Sequence, residues 1–224
     1  MDVIEAMRDR ISVRAYQDRA VTRETLEKVL EAARWAPSGT NTQPWQVVAV
    51  SGAARDRIAE ALVAHVQSRG EETAHYAYYP EKFVEPYKGR RWRCGMQLYG
   101  AIGITIDDKA ARAEAMLNNF RFFGAPLALF FYIDRAMAKG SWVDIGMFIQ
   151  NVMLAARGFG LDTVPQFALG MYPHIIEQHA PVPRDHDLVC GLSIGYADKK
   201  HPVNQYRTER MEVDEFLTWC DQPE

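Results

Sequence analysis

Residues 36–45, A-P-S-G-T-N-T-Q-P-W, constrain this chain more than any other stretch. Pro37 and Pro44 fix φ and forbid a helix to continue, while Gly39 opens backbone angles closed to other residues. Ser38, Thr40, Asn41, Thr42 and Gln43 set short polar side chains between the two prolines. Upstream, Leu26, Val29, Leu30 and Ala33 recur at helical spacing behind Thr22, a good N-cap. Downstream, residues 45–50 form an apolar run of strand length. The stretch is thus a punctuated polar joint between an amphipathic helix and the first strand. On residue types alone it reads as a turn.

The rest of the chain alternates helices and strands. Residues 2–9 suit a short helix with Val3, Ile4 and Met7 as its stripe, and residues 10–19 an extended or loop segment. Gly52 opens a helix with Ile58, Ala59, Leu62, Val63 and Val66 on one face. Helices are also expected at 107–123, 142–159 and 172–178, and strands at 127–133, 163–167 and 188–196. Residues 142–159 are apolar around most of the circumference, so that helix should be central. Gly158 and Gly160 should end it. The tail at 212–219 is weakly helical. Residues 70–93 break this order, with tyrosines, Phe83 and Trp92 interleaved with charges. They suit a lid or excursion presenting aromatics over a pocket. The expectation is one domain over residues 1–224, of α+β class, with a mixed central sheet flanked by helices in three layers.

A formal charge of −3 in 224 residues leaves no global basic field for nucleic acid or an anionic membrane. The longest apolar run, at 125–133, is of strand length, so no membrane span is expected. Three cysteines, Cys94, Cys190 and Cys220, form no C-x-x-C, and a reducing cytoplasm is the expected compartment. The histidines include no H-E-x-x-H and read as loop or surface residues, so no metal site is expected.

Two motifs fail on context. Gly191-Leu192-Ser193-Ile194-Gly195 matches the G-x-S-x-G nucleophile elbow, but no helix follows the serine, and only Asp198 and His201 crowd it as partners. Ser193 belongs in mid-strand. Gly158-Phe159-Gly160 has Thr163 where a third dinucleotide-binding glycine should stand, and it closes a helix instead of opening one. Any nicotinamide must then bind without a Rossmann crevice.

Arginines carry more information. Arg10, Ser12 and Arg14 alternate in an extended segment, so all three can face one side. Arg207 follows the last strand in P-V-N-Q-Y-R. Residues 10–14, R-I-S-V-R, followed by the 36–45 stretch, resemble the N-terminal signature of the nitroreductase family of FMN enzymes. The resemblance implies that Arg10, Ser12 and Arg207 hold the FMN phosphate and that Arg14 sits against the pyrimidine edge as electrostatic support. Asn118 and Arg121 resemble the Asn and basic residue aimed at the same ring. The segment Pro165-Gln166-Phe167-Ala168-Leu169-Gly170 corresponds to the stretch whose backbone N–H groups approach flavin N5 and O4, without the Glu-Gly of some members. Pro37, Ser38, Gly39, Asn41 and Gln43 would reach the flavin of a neighbouring subunit in an interlocked homodimer. Trp142, Asp144, Gly146 and Gln150 loosely resemble one branch of the family.

By this resemblance the chain is an oxidoreductase in which NADH or NADPH reduces FMN and a nitroaromatic or similar planar acceptor is then reduced. The cofactor carries the chemistry, so no catalytic dyad is required of the protein. Tyr87 and Trp92 are the expected substrate contacts. Quinone, enone or flavin reduction and reductive dehalogenation are alternatives on the same fold, and a non-catalytic flavin-binding module is another. The iodotyrosine-deiodinase branch would need a Glu, Tyr and Lys in the lid. Glu81, Tyr87 and Lys88 supply the residue types.

Overall fold

The computed structural model describes residues 1–220. Its frame is a four-stranded sheet of β1 (Trp45–Ser51), β2 (Leu127–Asp134), β3 (Asp162–Gln166) and β4 (His186–Gly195), in the order β1-β2-β4-β3. Leu127 through Ile133 of β2 are buried without alternation, as a central strand covered on both faces must be. The strands pair antiparallel throughout. The mixed sheet expected from sequence is therefore mixed only at an isolated parallel bridge, where Ser12 meets Thr163 at the β3 edge.

Eight helices are described: α1 (Val3–Asp9), α2 (Arg23–Ala33), α3 (Gly52–Gln67), α4 (Tyr87–Ala101), α5 (Lys109–Leu117), α6 (Lys139–Gly158), α7 (Phe167–Gly170) and α8 (Pro173–Glu177). On one sheet face α2 and α6 meet Leu129, Phe131, Ile133 and Leu192. On the other, Ile58 and Leu62 of α3 and Ile175 and Ile176 of α8 pack on Ala128, Phe130 and Tyr132. These are the three expected layers. Thr22 caps α2 by accepting from the Thr25 N–H, a bond worth about 1 kcal/mol. Along α6, Ile145, Phe148, Val152 and Ala156 are buried, and Gly160 beyond its end takes φ +73°.

Four boundaries differ from expectation. The helix expected over 107–123 stops at Leu117; the chain continues in i→i+3 turns to Phe120, and positive φ at Phe122, Phe123 and Gly124 then turns it into β2. α6 begins three residues earlier than its apolar pattern, at Lys139. The tail forms only a 3-10 turn at Val213–Glu215. Residues 87–93, expected to be irregular, open α4, a helix with no fully buried residue.

The remainder of the irregular stretch is a strap tied to the body. Thr73 N–H donates to Met171 O, Leu188 N–H donates to His75 Nδ1, and Tyr76 O–H donates to Val189 O, at 2.9, 2.9 and 2.6 Å. Tyr78 stacks on Phe167 with ring centroids 4.3 Å apart, and Tyr76 meets Trp142 edge-on at 4.5 Å. Tyr76 and Tyr78 are thus packed on Trp142 of α6 and Phe167 of α7.

Candidate active site

The extended segment after α1 is fixed to the sheet edge. Val13 N–H donates to Thr163 O and Gln17 N–H to Tyr196 O. Val13 turns inward and is 1% exposed, so the pleat sends Ser12 and Arg14 to the other side. A second segment locks onto the first from the far end of the chain. Asn204 Oδ1 accepts from the Arg14 N–H, and Asn204 Nδ2 donates to Ala15 O and Asp198 O, all at 2.8 Å. That staple carries Tyr206 and Arg207 to α1, where the Arg207 guanidinium donates to the carbonyls of Arg8 and Asp9. Those are terminal carbonyls of a helix, natural partners for a cation.

Between the two segments lies a cavity of about 580 Å³. Arg8, Arg10, Ser12, Arg14, Arg207 and Arg210 line it, and no carboxylate does. Among the described residues the Arg10 guanidinium has no hydrogen-bond or ion-pair partner. Burial first, then the neighbouring Arg210 and Arg207, holds it below the ordinary guanidinium range. Arg14 donates to Ser12 O at 3.2 Å and to the Tyr206 hydroxyl at 3.1 Å, and it lies 5.9 Å from the Phe123 ring centre. Burial raises the Tyr206 phenol, against the opposing pull of Arg14, so it stands as a neutral hydroxyl. Cys94 of α4 also faces the cavity. Arg207 also lies 3.9 Å from the Asp9 carboxylate, whereas Arg10 is unpaired among the described residues. Five lining arginines with no carboxylate in the lining leave an excess of positive charge around a concave space, which suits a multiply charged anion such as phosphate.

Of the residues singled out from sequence, Arg10, Ser12, Arg14 and Arg207 come together here. Asn118 and Arg121 do not line the cavity. Arg121 donates to Glu114 and to Asn118 Oδ1 at 2.8 and 3.2 Å. Gln166 is 3% exposed and faces inward, its Nε2 donating to Asn119 O and its Oε1 accepting from the Ser193 hydroxyl. Ala168, Leu169 and Gly170 lie in α7, with Leu169 buried against the sheet. Pro37, Ser38, Gly39, Asn41 and Gln43 form a tight loop on α6. Gly39 N–H donates to the buried Asp144 carboxylate at 3.2 Å, Ser38 Oγ accepts from Gln43 N–H, and Asn41 and Gln43 take positive φ. The loop does not line the arginine cavity of its own chain. Tyr87 and Trp92 stand exposed on α4, and neither stacks on the strap's aromatics.

Sequence reasoning missed Arg8, Arg210, Tyr206 and Cys94. Arg210, three residues after Arg207, could have been found by following the basic residues past the last strand. Tyr206 stood in the quoted P-V-N-Q-Y-R stretch without a role. Nothing in sequence marked Cys94, because α4 itself was not foreseen.

The nitroreductase family model matches residues 7–196. Nitrobenzene nitroreductase of Ectopseudomonas oleovorans is 38% identical over 96% of this chain and 95% of its own length. Chloronitrobenzene nitroreductase of Comamonas testosteroni is 37% identical with the same coverage. Among solved structures, the FMN and NADPH-dependent nitroreductase NfnB of Sphigopyxis sp. strain HMH superposes with a TM-score of 0.95 at 37% identity, covering 99% of this chain and 100% of that one. The FMN-dependent nitroreductase NfnB of Mycobacterium smegmatis, solved in complex with NADPH, gives 0.91 at 35% identity over 97% of each chain. With these matches spanning the cavity, the sheet and both helical layers, the chain belongs to the nitroreductase family.

Proposed function

We propose that this protein is an FMN-dependent nitroreductase, drawing reducing equivalents from NADPH or NADH and passing them to nitroaromatic compounds. The observation that carries this is the carboxylate-free arginine cavity, whose donor set fits the dianionic phosphate of FMN. When bound, FMN would supply the redox chemistry that links the nicotinamide to the acceptor.

The chain's own residues hold and bias that cofactor. Arg10, Arg207 and Arg210 would neutralise the phosphate, and Ser12 would add a hydroxyl donor. Arg14 is fixed by Ser12 O and the Tyr206 hydroxyl, so its charge stays at one place in the cavity. With the pyrimidine edge beside it, as the resemblance implies, this guanidinium would favour negative charge on the ring. The strap residues Tyr78 and Tyr79, packed around Phe167 at the head of α7, give flat apolar surface suited to a planar acceptor. They replace Tyr87 and Trp92 as the substrate contacts of this reading.

The functional unit is a homodimer with a site at each subunit interface. The 36–45 loop supports this, since its polar tip has no role in its own chain's cavity. Val3, Ile4 and Met7 on α1 and Phe216, Leu217 and Trp219 in the tail leave apolar side chains exposed. The compartment is the cytoplasm, in keeping with three free cysteines; among the described residues no helix is long and apolar enough to cross a membrane.

An absorbance spectrum of the purified protein, followed by anaerobic titration with NADPH and then nitrobenzene, tests the proposal. Flavin bands that bleach with NADPH and return with nitrobenzene are expected. A protein that refuses added FMN would sink the proposal. A flavin that bleaches but is reoxidised only by quinones or enones would replace the nitroaromatic acceptor with one of those.

A further inference from the structure

The G-x-S-x-G run at residues 191–195 is unused by the chemistry above, yet its alternate residues do one thing together. Gly191, Ser193 and Gly195 lie two apart on β4, so all three present the same sheet face. That face receives two segments, β3–α7 and the turn leading from α5 into β2. A Cβ at Gly191 would fall 2.3 Å from Leu169 Cδ1, so Gly191 is the socket into which α7 drops. A Cβ at Gly195 would fall 2.6 Å from Pro126 Cδ, so Gly195 admits the end of the turn. Ser193, fully buried between them, donates its hydroxyl to Gln166 Oε1. Gln166 Nε2 in turn donates to Asn119 O at 2.8 Å.

The orientation of this chain of bonds is forced. The Asn119 carbonyl can only accept, so the Gln166 amide must present its NH2 there and its oxygen to Ser193. The serine proton therefore points at Gln166, and both ends of the glutamine are satisfied in a buried site. Gln166 is the last residue of β3 and leads into α7. Asn119 lies between Asn118 and Arg121, next to the turn that brings Phe123 to Arg14.

We propose that Ser193 is a positioning residue, acting through Gln166, that sets the spacing between the 166–170 segment and the 118–124 turn. This rests on the flavin reading above, in which residues 165–170 would approach flavin N5 and O4 and Asn118 and Arg121 would face the pyrimidine ring. Each is short and irregular, and neither shares a backbone ladder with the other. The Ser193–Gln166–Asn119 chain is the polar tie between them, with the two glycines as seats on either side. Ser193 touches no cofactor or substrate.

The test compares wild-type holoenzyme with Ser193→Ala, Gln166→Met and the double variant. Visible circular dichroism of the bound flavin, its midpoint potential and FMN affinity of the apoprotein are read beside the rate of anaerobic reduction by NADPH. Both single variants should alter the flavin dichroism and slow reduction by about tenfold, the scale of a sub-ångström misplacement, while FMN affinity stays near wild type. The double variant should be no worse than Gln166→Met alone, because the serine acts through the glutamine. Variants with a lowered Tm but unchanged dichroism, potential and reduction rate would overturn the proposal. So would additive effects in the double variant. Should Ser193→Ala not fold, Ser193→Cys keeps the volume with a far weaker donor and is read in the same way. A wild-type protein that takes up no FMN would overturn the functional reading and this inference with it. Unchanged variants of a working enzyme would overturn the inference alone.

Discussion

Arg10 and Arg207 share one cavity but are not equivalent. Arg10 is half-withdrawn from water with no partner of its own, whereas Arg207 already serves two α1 carbonyls and stands more exposed. A charge-assisted hydrogen bond contributes about 1.5–3 kcal/mol, so Arg10→Ala should weaken FMN binding to the apoprotein about 10- to 100-fold. Arg207→Ala should cost less. Quenching of FMN fluorescence on titration with apoprotein measures both, and equal losses would contradict the ranking. The pH dependence belongs to the ligand, because guanidinium groups stay charged throughout the accessible range. Affinity should be flat above neutrality and fall as pH drops through about 6, where the phosphate gains its second proton. The cysteines give a complementary readout. Burial pushes the Cys190 thiol up to about 12, so at pH 8 almost none of it is thiolate, while Cys94 and Cys220 are exposed. A disulfide reagent should label Cys94 and Cys220 in the native protein and Cys190 only after unfolding. FMN should shield Cys94 selectively, since only that thiol faces the cavity.

Elements defined by burial were legible in the sequence, and those defined by distant contacts were not. β2, α2, α3 and the body of α6 each carry an apolar pattern that only one secondary structure can bury, and each lies within a few residues of its expected place. α4 shows no such pattern. Gly89, Gly95 and Gly100 interrupt it and no residue of it is fully buried, so neither propensity nor periodicity announces a helix. The tail errs the other way. Val213, Phe216 and Leu217 have helical spacing, but within one chain they stand exposed with nothing to pack on. The arginine segment was legible because alternation in an extended chain is a local rule. The second half of the cavity was legible only through family resemblance, because the Asn204 staple joins residues 190 positions apart. The 36–45 stretch forms the expected turn between α2 and β1, but its anchor, Asp144, lies on α6, and sequence marks it only through a loose likeness. Asp144→Ala should remove a charge-assisted bond to Gly39 N–H and lower Tm by about 2–8 °C. If the loop serves the neighbouring subunit's cofactor, FMN affinity should fall as well, although Asp144 is remote from the arginine cavity of its own chain. A lowered Tm with unchanged FMN affinity would confine the loop to a structural role.

Large apolar side chains stand exposed on both α1 and the tail. Val3 and Ile4 of α1 are 58% and 52% exposed, and Phe216 and Trp219 of the tail 63% and 76%. Exposed apolar side chains grouped on one element are candidates for an interface. The flavin site gives a separate reason for a partner, since the polar 36–45 loop and the arginine cavity are both parts of one proposed site yet do not meet within a chain. A two-fold dimer answers both demands at once, because an isologous interface brings each loop to the other chain's cavity. Sedimentation should therefore give a species of about 51 kDa, twice the 25.5 kDa chain. Ile4→Asp, which puts a charge on the exposed face of α1 while leaving every cavity residue in place, should shift that species toward monomer. The decisive quantity is how FMN affinity follows. Saturating FMN at about 100 times its dissociation constant should add about 2.7 kcal/mol to the wild-type protein and raise its Tm by several degrees. In Ile4→Asp that shift should shrink in step with the dimer fraction and recover as protein concentration is raised. A monomer that keeps the full FMN-dependent Tm shift would show that one chain suffices for the cofactor, and would assign the 36–45 loop to subunit contact alone.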